Sequence, residues 1–330
     1  MSYIISSLLF YFGCKKNNNN KSVFDETTLK GLKLKSRVFL GPITHSSQKI
    51  EAIVSNGVAL VTTEGAIVGD YTFSKLQAEG PFRIDSDEYI PEIKQLADIA
   101  HKHNSYILLG ILHYGLLSSD QPIYSPSGGK SLVNQELESK EVTKEDILRI
   151  QDYFVQAALR AKKAGFDGVE ILGAQLNLVS TFSSIKYNKR KDEYGGSDEN
   201  RARMIKEIVI KVRKAIGNDM IISAKIDSPD EENGYTKSGF LTIGKLLEEA
   251  GLDLIEISGP NFIKDVDHPY FYEETKEIAE NLKIPVVCIG GIKRFEQADF
   301  ILKNSKIEYV AMSRELMKQP ETVKIWYKNK

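Results

Sequence analysis

Cysteine and tryptophan are scarce in this chain: of 330 residues only Cys14 and Cys288 are cysteine, and one is tryptophan. Two thiols in unlike surroundings supply neither a disulfide framework nor the Cys-x-x-Cys spacing of a structural zinc site, so the chemistry does not rest on thiols or zinc. An excess of charge of one sign is lacking as well. Lys and Arg (44) against Asp and Glu (45) leave a formal net charge of −1, without the basic stripe that a nucleic-acid partner would require. No Gly-x-Gly-x-x-Gly follows a predicted strand, which removes the main support for a Rossmann dinucleotide fold. Residues 4–12 are mostly apolar but too few to span a bilayer. They run into Gly13-Cys14 and then the polar tract KKNNNN, a pattern shared with lipoprotein signals, yet no Lys or Arg precedes the apolar run. Residues 1–24 are read as a flexible N-terminal extension or signal. The expected setting is cytoplasmic, with export or lipid anchoring through Cys14 as the alternative.

What is present is a repeated alternation of short apolar strands and amphipathic helices. Candidate strands are 38–40, 59–63, 106–112, 168–172, 220–226, 254–257, 286–289 and 309–312, and helical periodicity fills segments such as 91–103, 239–250, 271–281 and 295–303. Strands alternating with helices imply a parallel sheet. Eight such units in a chain of this length close most naturally into a TIM (β/α)8 barrel of about 250 residues with extensions, one domain over 25–330. Strand count alone also allows an open doubly wound sheet.

The most informative stretch is 164–203. Ahead of it, Ile147, Ile150, Phe154, Ala157, Ala158 and Ala161 form one apolar helical face, Thr143 and Asp146 bracket its start, and Gly165 stops it. A short strand, Gly168-Val169-Glu170-Ile171-Leu172, follows. Then about 25 residues, holding Tyr187, Tyr194, Gly195 and Gly196, separate that strand from the next helical pattern at 198–215. A connection that long in a compact domain is functional or disordered, and its aromatic and Arg content argues for a loop built to hold something.

KAGFDGVEI (163–171), followed by F-S-S-x-x-x-N-x-R-x-D-E-Y-G-G-S-x-E-N-R-x-R (182–203), resembles the old yellow enzyme family of flavin-dependent oxidoreductases, which bind FMN in a TIM barrel. The likeness extends over about residues 25–325. It implies FMN as cofactor, NADH or NADPH as reductant and a small-molecule electron acceptor; oligomeric state stays open. It also implies that Pro42 and Ile43 lie against the flavin ring, that Thr44 donates to the C4 carbonyl, and that Gly65 is the small residue beneath the ring. Gly290 and Gly291 after the seventh strand, with Ser313 and Arg314 after the eighth, would form the phosphate cradle, Ser313 standing where the family has Gly.

Several positions depart from the family pattern. Gly110 replaces a Gln whose amide pairs with the flavin pyrimidine edge. Lys225 replaces an Arg near N1 and O2, keeping the charge but losing the bidentate fork, and Glu256 or Glu170 could pair with it. At the catalytic positions, where the family has His, His or Asn, and Tyr, this chain has Leu172, Gln175 and Asn177. Leu172 cannot donate a hydrogen bond, Gln175 can through its amide, and Asn177 is no acid at neutral pH. Losing one oxyanion donor typically costs about 3 kcal/mol of transition-state stabilisation, so efficient enone reduction is not expected. Two readings follow. One is an FMN-dependent NAD(P)H oxidoreductase with an altered substrate-activation site, acting on a quinone, dioxygen or another acceptor that needs no carbonyl activation. The other is a degenerate barrel that binds FMN weakly or not at all and serves as a binding or scaffold protein.

Overall fold

The computed structural model describes residues 21–69, 80, 82–259 and 268–329. Cys14, residues 70–79, Pro81 and Pro260 lie outside them.

Eight parallel strands form the centre: β1 (Val38–Leu40), β2 (Leu60–Thr62), β3 (Tyr106–Leu112), β4 (Gly168–Gly173), β5 (Ile221–Asp227), β6 (Leu254–Ser258), β7 (Val286–Ile289) and β8 (Tyr309–Met312). Each pairs with its neighbour in chain order, β8 pairs with β1 through Val310 and Val38, and β3 pairs with β4 through Gly168 and Leu108, so the ring has no edge. The barrel reading therefore holds and the open sheet does not. The strands are buried on both faces, which is why they read as continuous Val/Ile/Leu runs rather than alternating ones.

Helices form the outer layer. The helix Lys144–Lys163 starts on a capping box in which Thr143 accepts from the Asp146 amide and Asp146 accepts from Thr143. Ile147, Ile150, Phe154, Ala157, Ala158 and Ala161 are its buried face. An antiparallel hairpin (Thr27–Leu29 with Leu32–Leu34) closes the N-terminal end, its Leu29 and Leu34 packing with Leu60, Leu108, Ile221, Leu254 and Tyr309 at the strand starts.

The long connection after β4 is ordered rather than open. A short helix, Leu178–Ser183, fills its first part. Further along, Asn188 donates to the carbonyls of Phe182 and Tyr194, and Arg190 reaches Asp192, Pro126 and Val142. The Asn and Asp of the family-like motif thus brace the loop internally, and its Arg ties it to the segment before Lys144–Lys163.

Candidate active site at the mouth of the barrel

β7 and β8 run side by side, so the loops after them meet at one rim. Gly290 and Gly291 both take left-handed backbone, φ 98° and 75°. A Cβ on Gly291 would lie 2.0 Å from the His268 carbonyl oxygen, and one on Gly290 would lie 2.9 Å from Tyr270. Glycine is thus required at both positions, by conformation and by space. Ser313, just past β8, finds its room elsewhere: a Cβ on Gly41 would sit 2.8 Å from Ser313 Oγ and 2.4 Å from Ile289 Cδ1. The missing side chain on Gly41 accommodates the extra hydroxyl at 313.

These loops border a cleft of about 330 Å³, lined by Pro42, Ile43, Lys225, Gly290, Gly291, Ser313 and Arg314, with Gln175 entering from the β4 loop. The geometry brings together eight positions that the sequence singled out. Lys293, Lys318, Tyr270 and Phe271 also line it, and the sequence reading missed them. Lys293 stands two residues beyond Gly291, a signal that was there to be used. Tyr270 and Phe271 precede a helix and carried no inward pattern. Among the described residues, four cationic side chains against one carboxylate, Glu315, make the cleft suited to an anionic group. Arg314 Nη2 donates to the Tyr270 hydroxyl at 3.0 Å.

The remaining predicted positions do not border the cleft. Thr44 is fully buried and its hydroxyl oxygen accepts from the Ser46 amide at 3.1 Å. Leu172 packs with Ile67, Leu112 and Tyr114 in a small apolar cluster. Gly65 lies against that cluster, where a Cβ would come 2.0 Å from Leu112 Cδ2 and 2.9 Å from Leu172 Cδ1. At Gly110 a Cβ would sit 2.5 Å from the Thr63 carbonyl oxygen, so main chain occupies the start of any side chain there. Asn177, grouped above with the catalytic positions, caps the short helix instead: its Oδ1 accepts from the Ser180 amide at 3.0 Å and its Nδ2 donates to the Leu172 carbonyl. Both ends of its amide are engaged in local structure. His113 is fully buried and accepts the Gly115 amide at Nδ1, 3.2 Å.

Beneath the cleft the barrel interior is polar. Lys225 Nζ lies 2.7 Å from Glu256 Oε1, with both side chains buried, which settles the choice between Glu256 and Glu170. Glu170 accepts from Ser223 Oγ at 2.8 Å, and burial, reinforced by the neighbouring Glu256 charge, pushes its carboxyl up to about 8. Asp227, on the same inward face as Ser223 and Lys225 by strand alternation, is pushed up to about 6 by burial, against the pull of the Gln175 amide and the Ser180 hydroxyl. That alternation was a usable sign of Asp227, which the sequence reading passed over. The buried Cys288 thiol is pushed up to about 12 by burial, so it is not a nucleophile at neutral pH.

The residues present fit FMN at its phosphate end by charge, where Arg314, Lys293 and Lys318 stand beside the left-handed Gly290 and Gly291. Lys225 suits the electron-rich edge of the ring. The pyrimidine edge has no side chain from Gly110 to meet it.

A closed eight-stranded barrel with a cationic cleft after β7 and β8 defines a TIM barrel with its cleft where this fold commonly binds phosphate groups. The chain belongs to the NADH:flavin oxidoreductase / NADH oxidase family, whose sequence profile matches residues 22–329. It is 31% identical over 332 residues to an NADH oxidase of Thermoanaerobacter brockii, covering 91% of this chain but only 50% of that protein. It is also 31% identical over 313 residues to an NADPH dehydrogenase of Geobacillus sp. (strain WCH70), covering 90% of this chain and 91% of that one. The chain therefore spans about half the length of the first relative and nearly all of the second. Among solved structures, morphinone reductase superposes with a TM-score of 0.81 at 23% identity over 95% of this chain and 91% of its own, a likeness of fold. Among the described residues no helix is long and apolar enough to cross a membrane, and no group of three or more His, Cys, Asp or Glu side chains is placed to hold a metal ion.

Proposed function

We propose that this chain is an FMN-dependent NAD(P)H oxidoreductase whose acceptor is not activated by the family's paired donors. The observation that carries the reading is the cleft itself, where Gly290, Gly291, Arg314, Lys225 and Gln175 converge although they come from four different strands and their loops. FMN, when bound, supplies the hydride chemistry. The chain's own residues bind and orient: Gly290 and Gly291 allow close main-chain approach to a phosphate, and Arg314 neutralises it. Lys225 provides positive charge that Glu256 partly offsets. Gln175 provides a neutral amide donor, weaker towards developing negative charge than a paired imidazole set. Leu172 packs into an apolar cluster with Leu112 and Tyr114 and offers a carbonyl oxygen no donor. An acceptor such as a quinone or dioxygen, which needs no such donor, suits this arrangement.

The packing of Thr63 against Gly110 favours a second reading, in which the ring edge is poorly held and the barrel serves as a weak FMN binder or scaffold. One measurement separates the two. The full chain, purified and titrated with FMN, is expected to hold a yellow flavin that bleaches anaerobically with NADH or NADPH and recolours when a quinone or air is admitted. A protein that takes up no FMN at micromolar concentrations would leave the scaffold reading standing and remove the catalytic one.

A further inference from the structure

Two consecutive residues that are not glycine, Gln175 and Leu176, both take left-handed backbone, each with φ 64°. Such a pair is sterically costly, and strain of this kind persists only where the surroundings over-determine it. Here both amides are captured. The Gln175 N–H donates to Asp227 Oδ1 at 2.9 Å, and the Leu176 N–H donates to Ser180 Oγ at 3.1 Å. The Ser180 hydroxyl gives its one proton to Asp227 Oδ2 at 2.5 Å and, as it has none left to give, accepts from the Tyr235 hydroxyl at 2.5 Å. Ser180, Asp227 and Tyr235 are all buried, so no water competes for these bonds. Asn177, by holding the Ser180 amide, fixes the same turn from its far side.

We infer that Asp227, Ser180 and Tyr235 are positioning residues that clamp the strained Gln175–Leu176 turn and so set the Gln175 amide at the cleft. This rests on the proposed function only in making Gln175 the acceptor contact; the clamp itself is a property of the fold. In this view β5 and the loop after it impose the geometry of a β4 residue, and the Gln175 contact works only while all three partners are in place.

The test is a double-mutant cycle on the full chain loaded with FMN, with menadione as acceptor, alongside hydrogen exchange of the Leu176 amide in flavin-free protein. Ser180→Ala and Gln175→Ala are each expected to raise the KM for menadione about tenfold with kcat changed less than threefold, and the double variant is expected to be no worse than Gln175→Ala alone. Leu176 exchange is expected to speed up at least tenfold in Ser180→Ala. Tyr235→Phe, which keeps the ring and is the milder variant should Ser180→Ala fold poorly, should move both readouts the same way by a smaller factor. Additive effects in the cycle, or unchanged Leu176 exchange, would overturn the inference. If no form turned over acceptor while Ser180→Ala still freed the Leu176 amide, the clamp would stand and the oxidoreductase reading would fall.

Discussion

Lys225 and Glu256 face one another across β5 and β6 at 2.7 Å, both buried. The lysine is thus two things at once, a cleft cation and half of an interior ion pair. Removing one partner of a buried pair typically costs about 3–5 kcal/mol, because the other charge is left uncompensated. Lys225→Met is expected to lose stability on that scale in urea unfolding, and adding Glu256→Gln is expected to restore most of it. FMN affinity should stay low in both. Recovery of affinity with the second substitution would show that Lys225 serves the fold alone.

Glu170 carries a pH dependence whose sign is fixed by its burial. Its carboxyl is pushed up to about 8 in the folded chain, above the usual value of 4.5. The folded state then holds a proton that the unfolded state releases, so stability contributed by this group falls as pH rises from about 4.5 to about 8. Glu170→Gln removes the titration. The variant is expected to match the native chain near pH 4.5 and to exceed it at pH 8 by on the order of 2–4 kcal/mol. Equal urea midpoints at pH 8 would show that Glu170 ionises without cost.

The family resemblance puts Leu172 and Asn177 at the donor and acid positions, and the structure separates what replacing each would do. Leu172→His returns one donor at the end of β4 and is expected to raise reduction of 2-cyclohexenone by roughly tenfold, below the ~10²–10³ that one preorganised donor supplies. Asn177→Tyr, in contrast, removes a helix cap, worth about 1 kcal/mol. Its gain in proton delivery is therefore offset by a looser turn, and the double variant should melt lower than Leu172→His alone. An unchanged enone rate in Leu172→His would exclude a residual family-type donor position.

Gly291 tests the phosphate cradle. Alanine there meets both a left-handed φ and the His268 carbonyl 2.0 Å from the new Cβ. Gly291→Ala is expected to raise the Kd for FMN more than tenfold and to cost about 1–3 kcal/mol of stability. Gly128→Ala is also left-handed but 3.8 Å from its nearest neighbour, so it carries the backbone strain without the collision. Equal losses of FMN affinity in the two variants would mean that the cradle is not formed by Gly291.

Most of the barrel was legible from the chain, because a strand buried on both faces has to be a short apolar run and every helix between such runs has one apolar stripe. All eight strand segments fall within one or two residues of their observed ends, and the helix starting at Thr143 begins on the expected cap. The tight turn after the seventh strand was legible for the same local reason, since paired glycines after a strand mark a close approach, here of His268 and Tyr270. Packing between distant loops was not. That Gly41 makes room for Ser313, that Thr63 closes over Gly110 and that Asn177 serves as a cap are facts of tertiary contact, with no period or spacing to announce them. Asp227 was visible in principle, two residues after Lys225 on an inward face, but an acidic residue at a strand end reads as an ordinary turn until its partners are known.

The contact between Thr63 and Gly110 has a consequence for how this site can change over generations. A side chain is exchanged by one codon, whereas a carbonyl of the main chain stays whatever the codon says. At Gly110 the Thr63 carbonyl holds the ground where a side chain would begin, so this part of the barrel offers mutation almost nothing to vary. Inheritance can adjust the cleft at Lys225 and Gln175, which line it, while Gly110, away from the cleft, stays as the fold wrote it.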